Sequence, residues 1–359
     1  MSVFNQHSKG HVNGYPLFLG EDLGIIDTIN VQYPQLEELY QLQVSQIWNE
    51  NEIDLTQDRM DMLTVPEGTK DLMVQTIMFQ TAADSIAARS IIESLGGYIS
   101  NTECLNLATV WSFFEVIHAR TYSHIIKQTF AQPNDLIQEL YDNVDVMNRL
   151  KVIKETFDNM ENISTNATDF DKRCAILETL TALFALEAIA FMSSFAVTFA
   201  ITETGIFQGI GQLVKLICRD EVLHTRMDFE IFKILMKDAE WASALEATAA
   251  KRTEILDSVV QQELDWGKCL FKDDRKVIGL NEQLLGEYVL YMSKPIYDFC
   301  KLPFKYELLT AIPAVNPLPY MDSYIDSSKV QAAAQEIQLT NYNVGVIADD
   351  NLDDLDLTI

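Results

Sequence analysis

The sequence predicts an all-α protein, a bundle of long helices with a carboxylate-bridged pair of metal ions at its centre. Three observations carry that expectation. Residues 67–132 and 134–294 contain no proline, both stretches have helical periodicity, and two histidines each follow a glutamate by three residues. Proline costs roughly 3 kcal/mol in a helix interior, so long proline-free stretches suit a helical body. All nine prolines fall at or before Pro66, at Pro133, or at and after Pro295.

Taken in order, helices are predicted near 35–48, 67–95, 101–130, 135–160, 169–203, 205–237, 240–267 and 281–299. The Gly96-Gly97 pair, Pro133 and the Asn-Ala-Thr-Asp run at 166–169 punctuate them. Several exceed the usual helix length, which favours a bundle over a compact α/β fold. The organisation expected is an N-terminal arm over 1–30, a helical domain over 31–325 and an acidic tail over 326–359.

Residues 179–202 are long and apolar enough to span a bilayer, with one charge at Glu187. Glu178 and Glu203 flank the run, and no lysine or arginine follows before Lys215. The usual basic flank is therefore missing, and a central bundle helix, apolar all round, is the reading adopted.

Charge narrows the partners. With 26 Lys and Arg against 53 Asp and Glu, the formal net charge is −27. That argues against charge-driven nucleic-acid binding and against docking on an anionic membrane. The five cysteines (Cys104, Cys174, Cys218, Cys269 and Cys300) are dispersed without a CxxC motif, and no basic-then-apolar leader opens the chain. A reduced, cytoplasmic protein is expected.

Five histidines occur, two of them (His7 and His11) in the arm. His118 and His224 lie in FFEVIHARTY and RDEVLH, three residues after Glu115 and Glu221. Three residues advance a helix by about 300°, so each pair projects from one face. With glutamate at very roughly one position in fifteen, two such pairs among three histidines arise by chance at about the per-cent level. The remaining acids decide the matter. Asp84 in FQTAADSIAARS and Glu187 in FALEAIAFMSSF precede the two motifs by about one helix hairpin each and sit among apolar residues. A lone carboxylate there is costly unless it is protonated or binds a cation. One acid from each of two helices plus Glu-x-x-His from each of two others is the ferritin-like dinuclear arrangement. Four carboxylates and two imidazoles suit iron or manganese better than zinc.

Tyr122 follows His118 by four residues on the same face, within reach of an oxidising metal pair. Phe191, Phe195 and Ile217 would wall the same pocket, as core or as a shield for a phenoxyl radical. At the far end, no lysine or arginine occurs from Val330 to Ile359, and Leu352, Leu355, Leu357 and Ile359 alternate with acids. Such a segment cannot order itself. It is either a solubilising tail or a peptide that folds onto a partner.

With these residues in hand, the chain closely resembles the class I ribonucleotide reductase small (β) subunit of the tyrosyl-radical type. The matching segments include QIWNENEIDLTQDR, QTAADSIAARS, WSFFEVIHARTYSHII, LEAIAFMSSF, ICRDEVLH and the tail around Tyr342. The resemblance implies metal ligands at Asp84, Glu115, His118, Glu187, Glu221 and His224, a di-iron oxo centre with manganese as the alternative, and a stored radical at Tyr122. It also implies that Asp220 links His118 to Trp48 and that Tyr342 relays the radical. A homodimer would dock its tail on a large (α) subunit, where ribonucleoside diphosphates are reduced to deoxyribonucleotides. Two other readings of a two-metal bundle are an oxidase acting directly on an apolar substrate and an iron store. Neither accounts for the acidic, leucine-punctuated tail.

Overall fold

The computed structural model describes residues 4–273 and 275–325; Tyr342 and the acidic tail over 326–359 lie outside them. Among the described residues there is no β-strand, only isolated bridges at Phe18–Ile99 and Val277–Leu280. The principal helices are α1 (Pro34–Ser45), α2 (Thr56–Thr64), α3 (Glu67–Ser90), α4 (Thr102–Thr129), α5 (Pro133–Asp142) and α6 (Val144–Glu161). They continue with α7 (Asp169–Ala185), α8 (Met192–Thr202), α9 (Gln208–Leu235), α10 (Ala249–Leu270) and α11 (Glu282–Cys300).

Local side-chain chemistry starts several of these helices. Asn101 accepts from the Cys104 N–H at the head of α4, and Asn281 from the Leu284 N–H at the head of α11. Thr168 and Asp171 form a reciprocal capping box on α7. Helix α9 is capped from a distance, because its N-cap residue Phe207 is left-handed (φ 53°) and offers no side-chain acceptor. Instead Asp58 of α2 accepts from the Gly209 and Ile210 N–H groups at 3.2 and 2.8 Å, and Asp61 accepts from the Phe207 N–H at 2.8 Å. A carboxylate at that end also answers the positive end of the helix dipole.

Helices α3, α4 and α9 and the α7–α8 rod pack around one continuous core. The apolar stretch from α7 into α8 is that core: its most hydrophobic window is wholly buried inside the protein. Both ends of the rod are α-helical, but Leu186–Phe191 between them is π-helical, as is Ile91–Leu95 after α3.

Three expectations need correction. The helix expected over 135–160 is two, because Asn143 leaves the helical region (ψ 99°) and caps α6 through the Val146 N–H. The helix expected from 240 starts as a 3₁₀ turn (Ala239–Trp241) and a short helix (Ala242–Ala247) before α10. Helix α2 was not expected, since its short sequence, TQDRMDMLT, carries little apolar periodicity.

Candidate metal centre

Each of the central elements contributes to one enclosed site. Helix α3 presents Asp84, α4 presents Glu115 and His118, the π-helical turn presents Glu187, and α9 presents Glu221 and His224. All six side chains are fully buried. Their ligand atoms form two groups: Asp84, Glu115, His118 and Glu221, and Glu115, Glu187, Glu221 and His224, each within a 4.8 Å span. Glu115 and Glu221 belong to both. The overlap would allow two adjacent cations to share two carboxylates.

The imidazoles face inward through Nδ1. His118 Nδ1 lies 3.0 Å from Glu221 Oε1, while His224 Nδ1 lies 2.7 Å from Glu221 Oε2 and 2.8 Å from Glu115 Oε1. Neither carboxylate oxygen of Asp84 or of Glu187 has a hydrogen-bond partner. Buried, acceptor-only groups in that state call for protons or a cation.

Electrostatics agree. Burial pushes the Asp84 carboxyl well above its ordinary range, with Glu115 and Glu221 adding to the push, and burial raises Glu187 in the same way. Burial opposes charge on Glu221 as well, yet His118 and His224 beside it hold it below the usual range. Burial also opposes the imidazolium of His224, but Glu221 and Glu115 lift it to about 9. The donor set therefore fits a pair of divalent ions: four carboxylates can balance their charge, and the protons now shared among acids and imidazoles would leave on binding.

Trp48, Tyr122, Phe191, Phe195 and Ile217, also singled out from the sequence, belong to the same buried core. Tyr122, one turn beyond His118, is fully buried, and its hydroxyl has no hydrogen-bond partner. Burial first, then the Asp84 carboxyl, raise its phenol well above the ordinary range, so it stays protonated. Phe191, Phe195 and Ile217 are fully buried too, and the two phenylalanine rings stack at 5.8 Å and 9°. The Trp48 indole N–H donates to Asp220 Oδ2 at 2.7 Å, and His118 Nε2 lies 3.2 Å from the same oxygen. A continuous line thus runs from His118 through Asp220 to Trp48.

A family model described as ribonucleotide reductase, small chain, matches residues 25–308. The chain belongs to that family. The ribonucleoside-diphosphate reductase subunit beta of Haemophilus influenzae is 30% identical over 96% of this chain and 96% of its own length. Among solved structures, the Clostridium botulinum ribonucleotide reductase R2 subunit superposes with a TM-score of 0.77 at 20% identity, covering 90% of this chain and 98% of its own. An R2-like ligand-binding oxidase with a Mn/Fe cofactor superposes with a TM-score of 0.60 at 17% identity, covering 76% and 95%. The ferritin-like bundle expected from the sequence is the fold observed.

In this small chain the sequence reading missed two supports of the site. The Trp111 indole N–H donates to Glu115 Oε1 at 3.1 Å, and its ring packs against His224 with centroids 5.1 Å apart. Its position four residues before Glu115 was the available signal. Arg219 donates to Asp220 Oδ1 at 2.8 Å and to the Gln46 carbonyl at 2.9 Å, fixing the carboxylate that joins His118 to Trp48. Tyr342 lies outside the described residues.

Proposed function

We infer that this chain, the small subunit of ribonucleoside-diphosphate reductase, holds two redox-active metal ions on Asp84, Glu115, His118, Glu187, Glu221 and His224 and stores a radical at Tyr122. The observation that carries this reading is the pair of ligand groups sharing Glu115 and Glu221, with a fully buried tyrosine one turn away. When bound, such a pair would use dioxygen as the oxidant, and so supply the power to take one electron and one proton from a phenol. Iron is the metal proposed, and manganese is the second choice the oxygen-rich donor set accepts.

The chain's own residues do the rest. The four acids and two imidazoles orient the ions and release protons as they bind them. Tyr122 loses an electron and its hydroxyl proton; its leading charged neighbour is the Asp84 carboxyl. Burial of Tyr122 with Phe191, Phe195 and Ile217 excludes water and reductants from the phenoxyl oxygen. Trp48, Asp220 and His118 form the proposed route for electrons and protons, and Tyr342 in the tail the next relay.

The partner proposed is the large subunit, engaged through the leucine-punctuated acidic tail, and the location proposed is the cytoplasm. A homodimer is the proposed assembly; exposed Phe113 and Val116 on α4 offer it an apolar strip. The test is electron paramagnetic resonance of purified, metal-loaded, aerated protein. A tyrosyl signal is expected that disappears in Tyr122→Phe; the same signal persisting in that variant would overturn the assignment.

A further inference from the structure

Glu187 reaches the metal centre from a π-helical turn, and the structure shows what grips that turn from behind. Arg149 of α6 is buried at 2% exposure and forms a two-pronged ion pair with Glu263 of α10, Nε to Oε1 at 2.6 Å and Nη2 to Oε2 at 2.5 Å. The same Nη2 donates to the Ala190 carbonyl at 3.0 Å and lies 3.1 Å from the Ser193 hydroxyl, which also donates to Glu263. Its guanidinium plane is held between two rings, 3.3 Å from the Phe79 centroid and 3.6 Å from the Trp266 centroid. Phe79 in turn packs edge-on against Phe191 at 6.3 Å.

Ala190 and Phe191 both lie in the Leu186–Phe191 turn that carries Glu187. A π-helical turn holds one residue more than the α-helix around it and departs from the ordinary hydrogen-bond ladder, so it needs support from outside its own rod. Arg149 provides that support at two points: a hydrogen bond to the Ala190 carbonyl and a ring stack that ends on Phe191. Arginine suits this task because its planar fork can satisfy a carboxylate and a carbonyl while stacking on aromatics. Arg149 has no hydrogen bond or ion pair with any of the six candidate ligands; it acts on the turn through the Ala190 carbonyl and, by way of Phe79, the Phe191 ring.

We propose that Arg149, locked by Glu263, Phe79 and Trp266, is a positioning residue that holds the π-helical turn so that Glu187 faces the second cation position. This rests on the two-metal reading above, and the experiment separates the two. The full-length chain is titrated with Mn(II) while free Mn(II) is followed by electron paramagnetic resonance, and helicity and melting temperature are recorded alongside. The unsubstituted chain is expected to bind two ions; Glu187→Ala shows what loss of its position looks like.

The double variant Arg149→Met/Glu263→Met removes both charges together and leaves neither buried alone. It is expected to keep the first ion at parental affinity and to weaken the second by about tenfold or more, the scale on which a ligand's outer partners act. A second variant, Arg149→Lys, keeps the charge opposite Glu263 but loses the planar fork, and is expected to weaken the same ion. Parental affinity for both ions in either folded variant overturns the proposal. Fewer than two ions in the unsubstituted chain overturns the two-metal reading and this inference with it.

Discussion

Asp228 stands four residues beyond His224 on α9, fully buried, and neither of its carboxylate oxygens has a hydrogen-bond partner. Burial alone pushes its carboxyl well above the ordinary value of 3.8. A carboxyl whose folded pKa lies above its unfolded one contributes stability that is complete below the unfolded value and is lost as pH rises through the folded value. Asp228→Asn cannot ionise and escapes that loss. Urea unfolding of parent and variant from about pH 5 to about pH 8 is therefore expected to show the variant gaining relative stability as pH rises. A pH-independent difference would mean that Asp228 does not titrate in this window. Asp220, by contrast, has partners on every side, and each faces it as a donor: the Trp48 indole N–H, His118 Nε2 and Arg219. His118 faces Glu221 through Nδ1 and Asp220 through Nε2, and although burial opposes its charge these carboxylates raise the imidazole well above its ordinary range, so Nε2 carries a proton toward Asp220. Asp220→Asn keeps the shape but aims an amide N–H₂ at donors on one side or the other. Nucleotide reduction assayed with the large subunit is expected to fall about 10–100-fold, the usual cost of removing a ligand's outer partner. Activity within a factor of two of the parent would remove Asp220 from the proposed route.

At the scale of the elements, the candidate ligands depend on helix starts that lie far from them in the sequence. Helix α9 carries Asp220, Glu221 and His224, yet its first N–H groups are satisfied by Asp58 and Asp61 of α2. Asp58→Ala removes two of those bonds and is expected to cost about 1–2 kcal/mol in denaturant unfolding, the range for loss of a helix cap. Gly209 explains why the carboxylate sits so close: a Cβ there would meet Asp58 Oδ2 at 2.5 Å and the Asp54 carbonyl at 2.9 Å. None of this was legible in the sequence, because Asp58 and Gly209 are paired by tertiary packing across many residues. What was legible is short-range. The Glu-x-x-His spacing fixes two ligands on one face by helix geometry alone, and Tyr122 follows from the same periodicity. The π-helical turn was hidden for the opposite reason. Residues 186–191 are buried on every side, so their apolar pattern has no phase from which an extra residue could be read. The break at Asn143 was hidden because asparagine is tolerated within a helical pattern, and only the observed cap to Val146 shows which role it takes.

For the whole molecule, enclosure sets the problem that function must solve. Tyr122 and all six metal-facing side chains are fully buried, and Trp48, at the outer end of the Asp220 line, is itself only 3% exposed. An oxidising equivalent stored there cannot meet a substrate at this chain's surface, so it needs a docked partner and relays to reach it. The acidic tail is the segment proposed to dock. Leu352, Leu355, Leu357 and Ile359 are the only large apolar side chains among its last ten residues; Asp350 precedes them, and Asp353, Asp354 and Asp356 lie between them. Burying one leucine-sized side chain contributes about 1.5–3 kcal/mol, so losing several anchors should cost at least about 100-fold in affinity. Acids on the same peptide favour a basic groove and should make association weaken with salt. Deleting residues 350–359 leaves every metal-facing residue and Tyr122 in place. The truncated chain is therefore expected to form its tyrosyl radical at parental yield, measured by spin counting, while its affinity for the large subunit, measured by calorimetry, collapses. A free peptide spanning 340–359 should compete with the intact chain for the same site, and more weakly at higher ionic strength. Unaltered affinity after the deletion would return the tail to the role of an acidic solubiliser and move the docking surface onto the helical body.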